Sequence, residues 1–277
     1  MTVSVNTNQP ALIALQNLNK TNDSLSETQN RINTGLKIAD ARDNASIYAI
    51  AQKQRAAVSA LSSVTDSLNR ATSIADVASA AGQSISDLLN SMKQKVVAAM
   101  DPSYDAVARG NLNADYRSLL RQIQQVIQNA AFDGANILDG SLPTGLRFIA
   151  NAEANQHVTL STQNMSLGGA IVTMAATSSI STVTLATSVL AQVNASIVAV
   201  NTALANIGAQ ANQIGSHNKF VAKLTDALTV GIGNLVDADM AAESARLQAL
   251  QVQQQLGAQA LSIANQAPQV VLSLFRS

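Results

Sequence analysis

The stretch "LQALQVQQQLGAQALSIANQAPQVVLSLFRS", residues 247–277, contains no histidine, no cysteine and no acid, yet its apolar residues are regularly placed. Ala245, Ala249, Val252, Leu256, Ala260 and Ile263 recur at alternating steps of four and three, the spacing of a coiled-coil seam, here built mostly from small residues. Leu247, Leu250, Leu261 and Ala264 trace a second apolar stripe beside the first. A helix with one stripe has one partner to cover it, whereas two stripes separated by Gln, Ser and Asn suit contact with several neighbours through uncharged polar groups. Pro268 is expected to stop this helix near Ala267, leaving "VVLSLFRS" as a short apolar plug.

Working outward, the remaining chain reads as long helices with little punctuation, since Pro stands only at 10, 102, 143 and 268. Leu15, Leu18, Leu25 and Ile32 follow Pro10 on one helical stripe. "NTGLKIADARDN" then interrupts it, because Asn33, Thr34 and Gly35 favour a helix end and Asp40 or Asp43 can cap a new start. From there to about Met100 the absence of Pro predicts one very long helix. "DPSYD" makes a turn, and Leu112, Tyr116, Leu119, Leu120, Ile123 and Ile127 predict a returning helix to about Ala131, antiparallel to the previous one. Short apolar runs split by Asp-Gly, Pro and Gly between 132 and 160 predict hairpins. Residues 161–188 lack periodicity and read as a solvent-facing connection or weak strands, and helical character resumes over 183–231 and 237–265. The expected fold is mainly α: an elongated long-helix bundle or coiled coil with a small β-hairpin region near 132–180 and with N- and C-terminal helices paired.

Composition narrows the function. Equal numbers of basic and acidic residues, 17 each, offer no surface for nucleic acid and no polybasic membrane patch. The N-terminus has neither a basic n-region nor an apolar h-region, so no cleavable signal is expected, and no unbroken apolar run reaches the length of a membrane span. His157 and His217 have no local acid or second ligand at a metal-binding spacing, and the phosphate-binding glycine loops and the nucleophile elbow are missing. "DAD" at 237–239 is explained by helix capping. These readings predict no enzyme, no cofactor and no metal.

The residues "GNLVDADMAAESARLQALQVQQQLGAQALSIANQAPQVVLSLFR" at 233–276 resemble the C-terminal signature of bacterial flagellins. "RINTGLKIADARDNAS" at 31–46 is similar to that family's Arg-aliphatic-x-x-Gly-x-x-Ile motif, and "FDGANILDG" at 132–140 to the turn after its second core helix. The resemblance implies a short, core-only member without large variable outer domains. Residues 1–40 and 237–277 would pair as a helical inner-tube domain, with 41–236 as an outer rod. It implies a subunit that polymerises into the extracellular flagellar filament for swimming, alone or mixed with other flagellins. It further implies export through the flagellar type III route without a cleavable signal, and an export chaperone, a filament cap and hook-junction proteins as partners. The residues expected at the polymerisation interface are Leu15, Leu18, Leu25 and Ile32 from the first helix and Leu247, Leu250, Leu256, Leu261, Ile263, Leu272, Leu274 and Phe275 from the last. Arg31, Gly35 and Asp43 would form the inter-domain connector. A hook–filament junction protein is the alternative, while a chemoreceptor coiled coil would need a membrane span and Glu-rich methylation segments.

Overall fold

The structure, a computed structural model, describes residues 7–274, with side-chain surroundings up to residue 266. Among the described residues the elements run α1 (Gln9–Thr34), α2 (Ala45–Ala99), α3 (Ala106–Asn129), β1 (Leu146–Ile149), β2 (His157–Leu160), α4 (Val183–Val236) and α5 (Met240–Leu274). The mainly helical fold with a small β region is as the sequence predicts. The β region is smaller than expected, a single antiparallel hairpin with Leu146 opposite Leu160 and Ile149 opposite His157.

Local chemistry explains where the helices begin and end. Asn8 caps α1 by accepting from Ala11 N at 3.2 Å, and Pro10 falls in the first turn, where a missing N–H costs nothing. Gly35 ends it at φ 70°, a left-handed conformation that glycine adopts without strain, with its N–H on Arg31 O at 2.9 Å. The start of α2 corrects the sequence reading. Neither Asp40 nor Asp43 caps it; Asn44 does, its Oδ1 accepting from Ile47 N at 3.1 Å. Asp105 caps α3, accepting from Ala108 N at 2.7 Å.

The chain divides into two compact units, one being Ala57–Asp226 and the other holding the described residues up to Ala56 and from Ala227. In the first, Lys95–Asp115 at 2.8 Å joins α2 to α3 and Arg70–Asp133 at 2.7 Å joins α2 to the turn after α3, an order of contacts that runs the two helices antiparallel. Hydrogen bonds Asn218–Asn69 at 2.8 Å and Ser86–Asn201 at 3.4 Å place α4 antiparallel to α2 on another side. Leu68, Ile85, Leu89 and Met92 from α2 form the core with Tyr116, Leu120 and Ile123 from α3 and Val193, Val200 and Ile207 from α4. Burial of Tyr116 pushes its phenol up to about 12.

Residues 161–182 do not behave as the sequence suggested. They form neither a solvent-facing connection nor strands, because Met165, Val172, Met174 and Ile180 are wholly buried. The segment is tied down by Ser161 N to Gln210 Oε1 at 2.7 Å, Thr173 N to Ser196 Oγ at 3.0 Å and Ile180 N to Asn113 Oδ1 at 2.9 Å. Its anchors are irregularly spaced, which is why no period is visible.

Among the described residues one helix, α4, is long and apolar enough to cross a membrane, which a search for unbroken apolar runs misses because polar residues interrupt it. Its Val189, Val193, Val200, Ala203 and Ile207 are already buried inside the protein.

Candidate functional site

The second unit holds both ends of the described chain. Here α1 and α5 run antiparallel, and their cross-contacts march in opposite directions: Asn8 with Ala264, Leu18 with Gly257, Asn22 with Gln254 and Arg31 with Glu243. The shielded positions on α5 are Glu243, Leu247, Leu250, Gln254, Gly257, Leu261 and Ala264. On α1 they include Ala11, Ala14, Leu18, Thr21, Leu25, Thr28 and Ile32. Both series step by three and four, so each is a heptad seam facing the other helix.

This assigns the two stripes of the terminal segment. The Leu247, Leu250, Leu261, Ala264 stripe faces the chain's own α1, whereas Ala245, Ala249, Val252, Leu256, Ala260 and Ile263 are all exposed. Gly257 is what lets the helices approach, since a Cβ there would stand 3.3 Å from Leu18 Cδ1 and 3.9 Å from its Cα. On α1, Leu12, Ile13 and Leu15 are exposed beside the seam.

Of the residues the sequence singled out, Leu18, Leu25, Ile32, Leu247, Leu250 and Leu261 therefore share the inner seam, and Leu15, Leu256 and Ile263 lie outside it. Leu272 and Leu274 belong to the last turn of α5, beyond the side chains described, and Phe275 lies outside the described residues. Leu12, Ile13, Gly257 and Asn8 escaped the sequence reading. A heptad register counted from Ala11 and a lone glycine in a helix were the available signals.

The expected stop at Pro268 is a further correction, because α5 continues through it to Leu274. Proline supplies no N–H for the carbonyl of Ala264, four residues back. The side-chain Nδ2 of Asn8 donates to that carbonyl at 2.8 Å, so the bond lost by α5 is replaced from α1.

Beyond α1 the chain forms a strap against the end of α4. Lys37 N donates to Val236 O at 2.7 Å, Ala238 N to Gly35 O at 2.9 Å, and Leu36 pairs with Asp237. Beneath it Ile38, Ala51 and Val236 are buried against Leu36, Ile47, Tyr48, Ile232 and Leu235. Asp43 organises the turn: its Oδ2 accepts from Ala39 N at 2.8 Å and Asp40 N at 3.2 Å, and these bonds hold its carboxyl below the ordinary value. Arg31 donates to Glu243 at 3.0 Å and to Glu27 at 2.5 Å. Asp239 caps α5, its Oδ1 accepting from Ala241 N and Ala242 N.

Among the described residues no three His, Cys, Asp or Glu side chains gather where they could hold a metal ion, and His217 is taken up by the Ala150 carbonyl at 2.7 Å. What the unit offers is an apolar helical surface.

Comparison with known proteins identifies that surface's setting. A family model of the bacterial flagellin N-terminal helical region matches residues 5–142, and one of the C-terminal helical region matches residues 190–275. Flagellin FljJ of Caulobacter vibrioides is 52% identical across 100% of this chain and 99% of its own length. The chain belongs to the bacterial flagellin family. Flagellin FljM of the same organism is 46% identical, over 99% of this chain and 98% of its own, and a flagellin of Brucella melitensis 40%, over 99% of each. Such end-to-end matches also establish this flagellin as a short form, and they do not favour a junction protein. It is a structural protein, a subunit of the extracellular filament that flagellins build by self-assembly.

Proposed function

We propose that this flagellin polymerises through its terminal helices, with residues 1–40 and 237–277 forming the inner-tube domain of the filament and 41–236 the outer rod. The observation that carries the reading is the exposed stripe of Val252, Leu256 and Ile263 on α5, next to a seam that α1 already covers. Side chains of this kind gain roughly 1.5–3 kcal/mol each on full burial, and no element of the same unit covers them. Leu12, Ile13 and Leu15 offer a matching patch on α1. Neighbouring subunits, of this flagellin or of a mixed partner flagellin, would complete both.

The same apolar helices need protection before assembly. A lone two-striped helix buries too little surface to offset its ordering entropy, so the termini travel unfolded and order on assembly. That suits export through the flagellar type III route, with a cytosolic chaperone covering α5, a filament cap guiding insertion and hook-junction proteins receiving the first subunits. Arg31, Gly35 and Asp43 connect the two domains as the strap between α1 and α2. Deleting residues 247–277 is expected to leave a soluble monomer that does not elongate filament seeds. Normal filaments from that deletion would dispose of the proposal.

A further inference from the structure

Two local defects meet at Ala264. Position 268 is a proline inside a helix, so the Ala264 carbonyl lacks the N–H donor that an α-helix supplies four residues on. At the other end of the chain, the first N–H groups of α1 have no helical acceptor. One side chain meets both needs. Asn8 Oδ1 accepts from Ala11 N at 3.2 Å, and Asn8 Nδ2 donates to Ala264 O at 2.8 Å.

We propose that Asn8 and Pro268 form a register lock, in which Asn8 is the positioning residue that aligns α1 with α5 for assembly. The rationale lies in how the alignment is specified, by apolar packing that recurs along α1 and by a few polar contacts that do not. Leu18, Leu25 and Ile32 recur at heptad spacing on α1, so a seven-residue slip of α1 along α5 would still bring a leucine, Leu25, opposite Gly257 and would be opposed mainly by polar contacts, Asn22–Gln254 and Arg31–Glu243 among them. Such a slip would, however, carry the Asn8 amide about 10 Å along the axis at 1.5 Å per residue and strand the Ala264 carbonyl. The proline thus creates an acceptor at one place on α5, and the amide supplies a donor at one place on α1. Asn suits the position because its planar group carries an acceptor and a donor together. Asp caps a helix equally well but has no donor.

The lock rests on the reading that the terminal helices order within the filament, and its test separates the two. Full-length chain carrying Asn8→Asp, Pro268→Ala or both is polymerised from seeds and the critical concentration measured by sedimentation. Asn8→Asp keeps the cap and is expected to raise the critical concentration roughly 5- to 30-fold, the consequence of leaving one desolvated carbonyl unpaired. Pro268→Ala restores an N–H for the Ala264 carbonyl and is expected to assemble within about threefold of the parent. On that background Asn8→Asp should cost less than about threefold, so the two effects are strongly non-additive. A neutral Asn8→Asp, an equal cost or failed assembly in both backgrounds, or failed assembly of Pro268→Ala alone would each overturn the lock. Normal assembly after polar substitution of Leu256 and Ile263 would instead sink the outer-stripe reading while leaving the Asn8–Pro268 coupling measurable.

Discussion

The double substitution Leu256→Gln with Ile263→Gln tests the exposed stripe without touching the fold of the subunit. Leu256 is 59% and Ile263 70% exposed, so neither side chain contributes most of its apolar surface to the pairing of α5 with α1. Gln is already the commonest polar residue between Gln248 and Gln266 and has good helix propensity, so the helix itself should not suffer. If assembly covers what is now exposed, each side chain gains about 1–2 kcal/mol, taking roughly 1.5–3 kcal/mol for full burial and scaling by the exposed fraction. The pair together is worth roughly 2–4 kcal/mol per subunit, and at 1.4 kcal/mol per tenfold the critical concentration should rise about 30- to 700-fold. The assay is seeded elongation followed by sedimentation, with far-ultraviolet circular dichroism on the filaments formed at high concentration to confirm unchanged helicity. Leu250→Gln is the contrast, since Leu250 is only 8% exposed and faces α1, so it should weaken the intrachain pair as well. A critical concentration within about threefold of the parent for the double variant would refute the reasoning, because a buried stripe cannot take two amides without cost.

Two further outcomes follow from the charged groups around α1. Arg31→Gln leaves the Glu243 carboxylate, whose Oε2 already lacks a partner, enclosed without its cation; a loss of about 2–4 kcal/mol is expected in filament thermal stability, and Glu243→Gln on that background should recover most of it. Asp43 titrates below its ordinary value of 3.8 because of the amides of Ala39 and Asp40, so its contribution to the strap is present above 3.8 and is lost as pH falls through the lower folded value. Amide proton shifts of Ala39 and Asp40 followed from pH 5 to pH 2 should move together through that acid range, and Asp43→Asn should abolish the transition.

The helices were legible because so few prolines and glycines interrupt them, and the strap because Gly35 sits where a left-handed residue is required. The stripes of α5 were equally legible, but not which of them faces inward. Both have similar apolar content, and the deciding residue is Gly257, whose missing side chain lets α1 approach through Leu18. Residues 161–182 were illegible for a different reason: Met165, Val172, Met174 and Ile180 are buried at irregular intervals, and the backbone is satisfied by Ser196, Asn113 and Gln210 on distant helices.

The misreadings at Asp43 and Pro268 share a physical cause. Local rules assign each polar group its partner within a turn of helix, and both residues find or supply partners outside that window. Asp43 turns back onto Ala39 and Asp40 rather than forward into α2, which leaves capping to Asn44. The carbonyl orphaned by Pro268 is met by a donor 256 positions away in sequence. A proline that would terminate an independent helix is therefore tolerable only once the two ends of the chain have come together. Pro268 thus weakens α5 standing alone more than it weakens α5 paired with α1, where Asn8 meets the carbonyl left free.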